Sequence, residues 1–87
     1  MPEAKYGELK KGNYAIVTFD VPERERRKRE WLRCVLKNLK FRPVQQSVWL
    51  GRTKIPIDFL DDLKDLNMTD YVEIFEVSRQ GTLRHVV

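Results

Sequence analysis

The residue whose type and position most clearly suggest chemistry is Asp20, which directly follows the apolar run Tyr14–Phe19. Functional groups commonly lie at the carboxyl end of a strand in folds that mix helices and strands. A carboxylate there can hold a divalent cation, which polarises a phosphate and activates water for phosphodiester hydrolysis. One carboxylate per chain is few for such a site, but a twofold dimer would bring two together. The alternative is that Asp20 caps a helix beginning near Pro22.

A second feature is a dense group of cations that follows Asp20. It comprises Arg24, Arg26, Arg27, Lys28 and Arg29, with Glu23, Glu25 and Glu30 interspersed. Cations at the start of a helix interact unfavourably with the positive end of the helix dipole, so nearby anions must offset this electrostatic cost. Phosphates of a nucleic acid would do so, and so would glutamates three or four residues away, which would make this a solvated face. Arg42 and Arg52 extend the basic surface along the chain.

The charge of the chain is divided between its two halves. Residues 1–57 contain 14 Lys or Arg against 6 Asp or Glu, whereas residues 58–76 contain one Lys against 7 acids. A basic half of this kind suits a polyanion, and nucleic acid is the first to consider. We therefore expect duplex DNA or RNA to bind, with little sequence preference, at Arg24, Arg26, Arg27, Lys28, Arg42 and Arg52.

Hydrophobic periodicity predicts the elements that must position these residues. We expect strands and helices in alternation over residues 14–21 (strand), 22–40 (helix), 41–46 and 47–51 (strands), 55–66 (helix) and 71–77 (strand). This order is that of the ferredoxin-like α+β fold, βαββαβ, in which two helices cover one face of a sheet. We expect an irregular arm over residues 1–13, the domain over 14–78, and a tail or short extra edge strand over 79–87.

Two apolar patterns make specific predictions about packing. In the second helix, Ile57, Leu60, Leu63 and Leu66 are spaced to face the core. In the strand 47–51, alternation predicts that Val48 and Leu50 face the helices and that Trp49 fills a subunit interface on the open face of the sheet. A chain of 87 residues has a marginal core of its own, so an oligomer is expected.

Several classes of function are disfavoured. The single cysteine, Cys34, excludes an internal disulfide, and there is no Cys/His set with zinc-ligand spacing. The longest apolar run falls far short of the roughly 18 residues that span a membrane, so we expect a cytoplasmic protein without a membrane partner. His85 lies in the tail, and we assign it no catalytic role.

Four segments together resemble a known family, the small CRISPR-associated endoribonucleases that partner the integrase in spacer acquisition. They are Tyr14–Pro22, the cations of 24–29, Gln45–Trp49 and Asp70–Phe75. The resemblance implies a homodimer whose open sheet faces meet, with two copies of Asp20 near the dyad as a magnesium or manganese site. It also implies that Phe19, Ser47 and Trp49 support the dimer or the site, and that basic surfaces hold duplex DNA beside the integrase.

Part of the same pattern also resembles a related domain of PaaX-type transcriptional repressors. Phe19–Pro22 and Ser47–Trp49 fit that domain, and Trp49-Leu50 stands where the CRISPR family commonly has Phe-Glu. The PaaX-type domain normally follows a winged-helix DNA reader, for which the 13 residues before Tyr14 are too few, so we favour the CRISPR interpretation. A toxin ribonuclease of the same superfamily is a further alternative. The candidate functions are thus a metal-dependent endonuclease, a DNA-binding scaffold and a regulatory dimerisation domain.

Overall fold

A computed structural model describes residues 14–53, 55–78 and 81–87 of the protein. The expected arm over residues 1–13 lies outside the described residues. The strands are β1 (Tyr14–Phe19), β2 (Arg42–Gln45), β3 (Val48–Gly51), β4 (Val72–Val77) and β5 (Leu83–His85). A 3-10 turn at Glu23–Glu25 leads into helix α1 (Arg26–Asn38), and helix α2 spans Ile57–Asp65.

The five strands form one antiparallel sheet in the order β2-β3-β1-β4-β5. The two helices follow β1 and β3 in the chain, which is the ferredoxin-like arrangement. The predicted α+β fold, including a short edge strand near the C-terminus, is therefore confirmed. The arrangement places β1, and with it Asp20, in the middle of the sheet.

Strand β1 alternates between the two faces of the sheet. Ala15, Val17 and Phe19 are buried in the core, whereas Ile16 and Thr18 lie on the opposite face and are only partly buried. The core joins these residues to Leu32 and Leu36 of α1 and to Phe59 and Leu63 of α2. Both helices therefore cover the same face, and the other face of the sheet is left open.

Trp49 lies in this core, with only 3% of its surface exposed, and the prediction that it fills a subunit interface is wrong. The register shows why. Trp49 and Ile74 both stand opposite Val17, so all three side chains share the helix-covered face. Val48 and Leu50 consequently lie on the open face, the reverse of the predicted assignment.

Helix α1 starts later than its apolar pattern predicts, because the 3-10 turn takes up the first residues after Pro22. Its end is marked by Lys40, which adopts a left-handed conformation with φ of 69°. The next amide, that of Phe41, donates to the carbonyl of Leu36 at 2.9 Å. This turn sends the chain directly into edge strand β2.

Helix α2 differs from its predicted core stripe. Phe59 and Leu63 face the core, while Ile57 is 74% exposed. Two residues of α-helix correspond to a rotation of about 200°, so Ile57 points away once Phe59 points inward. The Phe59 ring stacks on Trp31 of α1, with centroids 6.2 Å apart, which joins the two helices. Neither helix in the described part of the chain is long and apolar enough to cross a membrane.

Candidate nucleic-acid interface

Asp20 is exposed immediately beyond β1, as the strand prediction required. Its backbone N–H donates to the carbonyl of Tyr71 at 2.8 Å, which fixes its position beside the start of β4. The following 3-10 turn and α1 have no side-chain cap, so the interpretation of Asp20 as a helix cap is wrong. Within the described residues, nothing forms a hydrogen bond or ion pair with its carboxylate.

On one side of Asp20 lies a cleft of about 590 Å³ that contains two arginines. Arg29 and Arg33 of α1 line it together with Gln46 and Ser47 of the β2–β3 turn. The Nε atom of Arg33 is buried and has no hydrogen-bond partner in the part of the chain that the structure describes. Arg33 is absent from the residues predicted from the sequence. Its spacing of four residues from Arg29, which puts both on one helix face, is the signal that could have found it.

On the other side of Asp20 lies a more acidic cleft, of about 480 Å³, shared with Asp70, Glu73 and His85. The His85 ring stacks on Phe75 at 4.8 Å between centroids, and its Nε2 lies 3.7 Å from Glu73 Oε2. Even so, no group of three His, Cys, Asp or Glu side chains among the described residues is arranged to hold a metal ion. The expected magnesium site, which joins two copies of Asp20 across a dimer, stays a prediction.

The cations before and within the first turn of α1 are partly matched by glutamates. Arg26 lies 3.9 Å from a carboxylate oxygen of Glu23, and both side chains are largely exposed. Arg24 and Arg27 are exposed and form no ion pair with any described residue. Exposed ion pairs contribute little free energy, so the contact with Glu23 holds the Arg26 guanidinium only weakly.

A hydrogen-bond network ties these cations to the sheet. The Tyr71 hydroxyl donates to Glu25 Oε2 at 3.4 Å, and Lys28 Nζ donates to the same oxygen at 3.4 Å. The backbone carbonyl of Tyr71 also accepts the hydrogen bond from the Asp20 amide, so one residue fixes both the 3-10 turn and the end of β1. We call Arg24, Arg26, Arg27 and Lys28 the basic cluster. It stands beside Asp20 because Tyr71 contacts both segments.

Arg42 and Arg52 lie elsewhere. Arg42 is on edge strand β2 and Arg52 follows β3, where its guanidinium carbon lies 5.9 Å from the centre of the Tyr14 ring. Both line one groove beyond the C-terminal end of α1, whereas the basic cluster lies at the N-terminal end of that helix. A 13-residue helix spans about 20 Å, so the predicted basic set forms two separate surfaces.

The open face of the sheet carries an apolar row across its strands. Leu50, Ile16 and Phe75 are direct cross-strand neighbours and are partly buried. Phe19, expected to support the dimer or the site, is a core residue with 6% exposure and also lines both clefts beside Asp20. Ser47 is exposed, lines both clefts beside Asp20, and accepts the Phe19 amide at its backbone carbonyl.

Comparison with known families adds one finding to this geometry. Residues 8–85 match the family described as the PaaX protein central Cas2-like domain. The chain belongs to this family. Searches of curated proteins and of solved structures give no significant match. The Cas2-like description of the PaaX central domain accords with the ferredoxin-like sheet, and it fits the regulatory alternative as well as the CRISPR interpretation.

Proposed function

We propose that this PaaX central Cas2-like domain is a homodimeric nucleic-acid-binding module, of the kind that serves a PaaX-type transcriptional regulator. The observation that carries the proposal is the pairing of two surfaces on one small chain. One is the apolar open face of the sheet, and the other is the basic cluster, in which Arg24 and Arg27 have no acidic partner among the described residues.

The open face supports dimerisation. The helices cover the other face, and the row Leu50–Ile16–Phe75 continues on β5 at His85, whose ring stacks on Phe75. Leu83, which is 58% exposed on β5, stands opposite Val77. Small soluble monomers seldom expose a continuous apolar patch of this kind, and a second copy would cover it with an identical patch. A twofold axis through the open faces would also double the number of cations that a single duplex meets.

The basic cluster supports nucleic-acid binding. Its cations are on the 3-10 turn and the first turn of α1. Tyr71, which directly precedes β4, bonds Glu25 of the 3-10 turn, and Lys28 bonds the same carboxylate oxygen. The acidic side chains of α2 lie on a separate element. Arginines that contact phosphates position a protein on a duplex without reading bases, so we expect weak sequence preference.

Dimerisation is tested by light scattering with two matched variants. The native chain is expected at about twice 10.4 kDa, and Ile16→Lys at the monomer mass, because it places a charge in the middle of the open face. Ile57→Lys makes the same change at a residue that is 74% exposed on α2, and it should leave the dimer intact. A native monomer, or a dimer that survives Ile16→Lys, would show that the open face is not the interface.

Nucleic-acid binding is tested by titrating a duplex at several salt concentrations. Affinity should fall with a log–log slope of about −0.9 per phosphate neutralised. Arg27→Gln should make the slope shallower by about twice that amount, because it removes one cation from each copy of the dimer. Lys64→Gln, an equal reduction of charge on the acidic helix α2, is the control and should leave the slope unchanged. Equal effects of the two variants would assign Arg27 to a solvated face.

A metal-dependent endonuclease is the second candidate. It is favoured by the exposed carboxylate of Asp20, which lies between two clefts and forms no hydrogen bond or ion pair with a described residue. Because the described part of one chain lacks a metal-ligand group, activity would depend on two copies of Asp20 brought together by the dimer. Cleavage should then require magnesium or manganese and should disappear in Asp20→Asn and in Ile16→Lys. Cleavage that survives a chelator and both variants would refute it, and co-elution with a CRISPR integrase would favour the acquisition-complex interpretation.

A further inference from the structure

An ionisable pair, His85 and Glu73, lies on the open face of the sheet near its β5 edge. Glu73 and Phe75 alternate along β4 with the buried Val72 and Ile74, so both point to the open face. His85 stands directly opposite Phe75 and stacks on its ring, with centroids 4.8 Å apart. Its Nε2 atom lies 3.7 Å from Glu73 Oε2. The imidazole therefore contacts the apolar row on one side and a carboxylate on the other.

The charged groups that face His85 within the described part of the chain are carboxylates. Asp20 beyond β1 and Asp70 before β4 line the same cleft as His85, and no Lys or Arg is among the described residues of that cleft. Arg84, the neighbour of His85 on β5, stands opposite Glu76 on the other side of the sheet and pairs with it at 2.9 Å. A proton on His85 therefore lies in surroundings that favour positive charge.

A second copy on the open face changes the energetics of this pair. In the free chain the side chains of His85 and Glu73 are 53% and 63% exposed, so water solvates both. Contact between two open faces removes part of that water, and a carboxylate that loses its water without gaining a partner is costly to bury. Protonated His85 pairs with Glu73 and offsets this cost, whereas neutral His85 leaves the carboxylate uncompensated.

We propose that His85 and Glu73 form a pH-sensitive switch for self-association through the open face of the sheet. The switch rests on the proposed function, because a second copy of this chain is what covers the pair. The dimer then binds the proton of His85 more tightly than the free chain does. By linkage, the dimer is strongest at low pH and weakens as the pH rises and His85 loses its proton. Each copy contributes one pair, so dissociation releases up to two protons per dimer.

The test measures the dissociation constant of the dimer by analytical ultracentrifugation at about pH 6 and about pH 8, at constant ionic strength, because histidine ordinarily changes charge in this range. His85 is the single histidine of the chain. Two pairs of the strength of exposed ion pairs predict a dissociation constant about tenfold higher at the higher pH. His85→Phe keeps a ring against Phe75 but binds no proton, so the ratio of the two constants should fall to about one. The ratio is the readout, so a change in absolute affinity caused by the new ring does not affect the result.

Two matched variants examine the carboxylate. Glu73→Gln removes the charge that the proton balances, so it should make the dimer less sensitive to pH. Glu76→Gln makes the same substitution on the other face of β4 and should leave the native ratio unchanged. A native dimer with equal constants at the two pH values, or a pH dependence that survives His85→Phe, would overturn the switch and leave the proposed dimer standing. A native chain that is monomeric at both pH values would refute the proposed dimer and the switch together.

Discussion

Replacement of Gly51 by alanine should destabilise the protein through a single steric clash. A Cβ atom at Gly51 would lie 2.6 Å from three atoms of the Phe41 ring. Favourable carbon contacts occur at about 3.5 to 4.0 Å, so the ring or β3 must move by about an ångström. Phe41 is only 4% exposed within the core and has little room to move.

The expected cost follows from the packing of this region. Overpacking of a close-packed core typically costs about 1 to 3 kcal/mol. A chain of 87 residues is expected to have about 4 to 13 kcal/mol of stability in all, at roughly 0.05 to 0.15 kcal/mol per residue. Gly51→Ala therefore removes a substantial fraction of the stability, and urea denaturation followed by tryptophan fluorescence should show a lower midpoint with an unchanged slope.

Two further variants isolate the steric cause. Phe41→Leu makes space beside position 51, so the double variant Gly51→Ala/Phe41→Leu should lose less stability than the sum of the single variants. Gly81→Ala is the conformational control, because its Cβ would meet nothing within 4 Å while its φ of +87° is strained for alanine by about 1 to 2 kcal/mol. Phe41→Leu should not rescue it. Native stability in Gly51→Ala, or strict additivity with Phe41→Leu, would refute the reasoning.

Three further outcomes are expected. Trp49→Ala should lower the free energy of unfolding by about 3 to 5 kcal/mol in urea titrations, because it leaves a cavity in the core. A variant that loses only dimer affinity would contradict this. Tyr71→Phe should cost about 0.5 to 1.5 kcal/mol and accelerate hydrogen exchange at the Glu25 amide, because the hydroxyl holds the 3-10 turn; unchanged exchange would argue against that role. Arg84→Ala breaks the 2.9 Å ion pair with Glu76 and should lower the free energy of unfolding by no more than about 1 kcal/mol. It should still accelerate hydrogen exchange in β5, and high salt should have the same effect on the native chain.

The sequence determines the order of elements because each leaves a local pattern. The apolar run of β1, the amphipathic stretch around Leu32 and Leu36, and the turn residues between β2 and β3 all act over a few residues. The exposed Asp20 was also predictable, since a polar residue that ends a buried strand has to reach solvent. The acidic surface of α2 follows equally from composition.

The face to which a strand residue points depends on its neighbours in the sheet. Alternation within β3 is equally consistent with Trp49 in the core or on the open face, and only the pairing of Trp49 with Val17 of β1 decides between them. Ile57 illustrates the same limit in a helix. Leu63 is spaced to share a face with Ile57 or with Phe59, and only the packing of the helix on the sheet selects Phe59.

The sequence alone also could not show which cations lie together on the surface. Charge counting treats Arg27 and Arg52 as members of one basic surface, yet α1 separates them along its length and the sheet places Arg52 over Tyr14. Arg33 meets Asp20 in one cleft only because α1 packs across β1. Such contacts join residues that are distant in the chain, and no local pattern encodes them, because they depend on how whole elements pack.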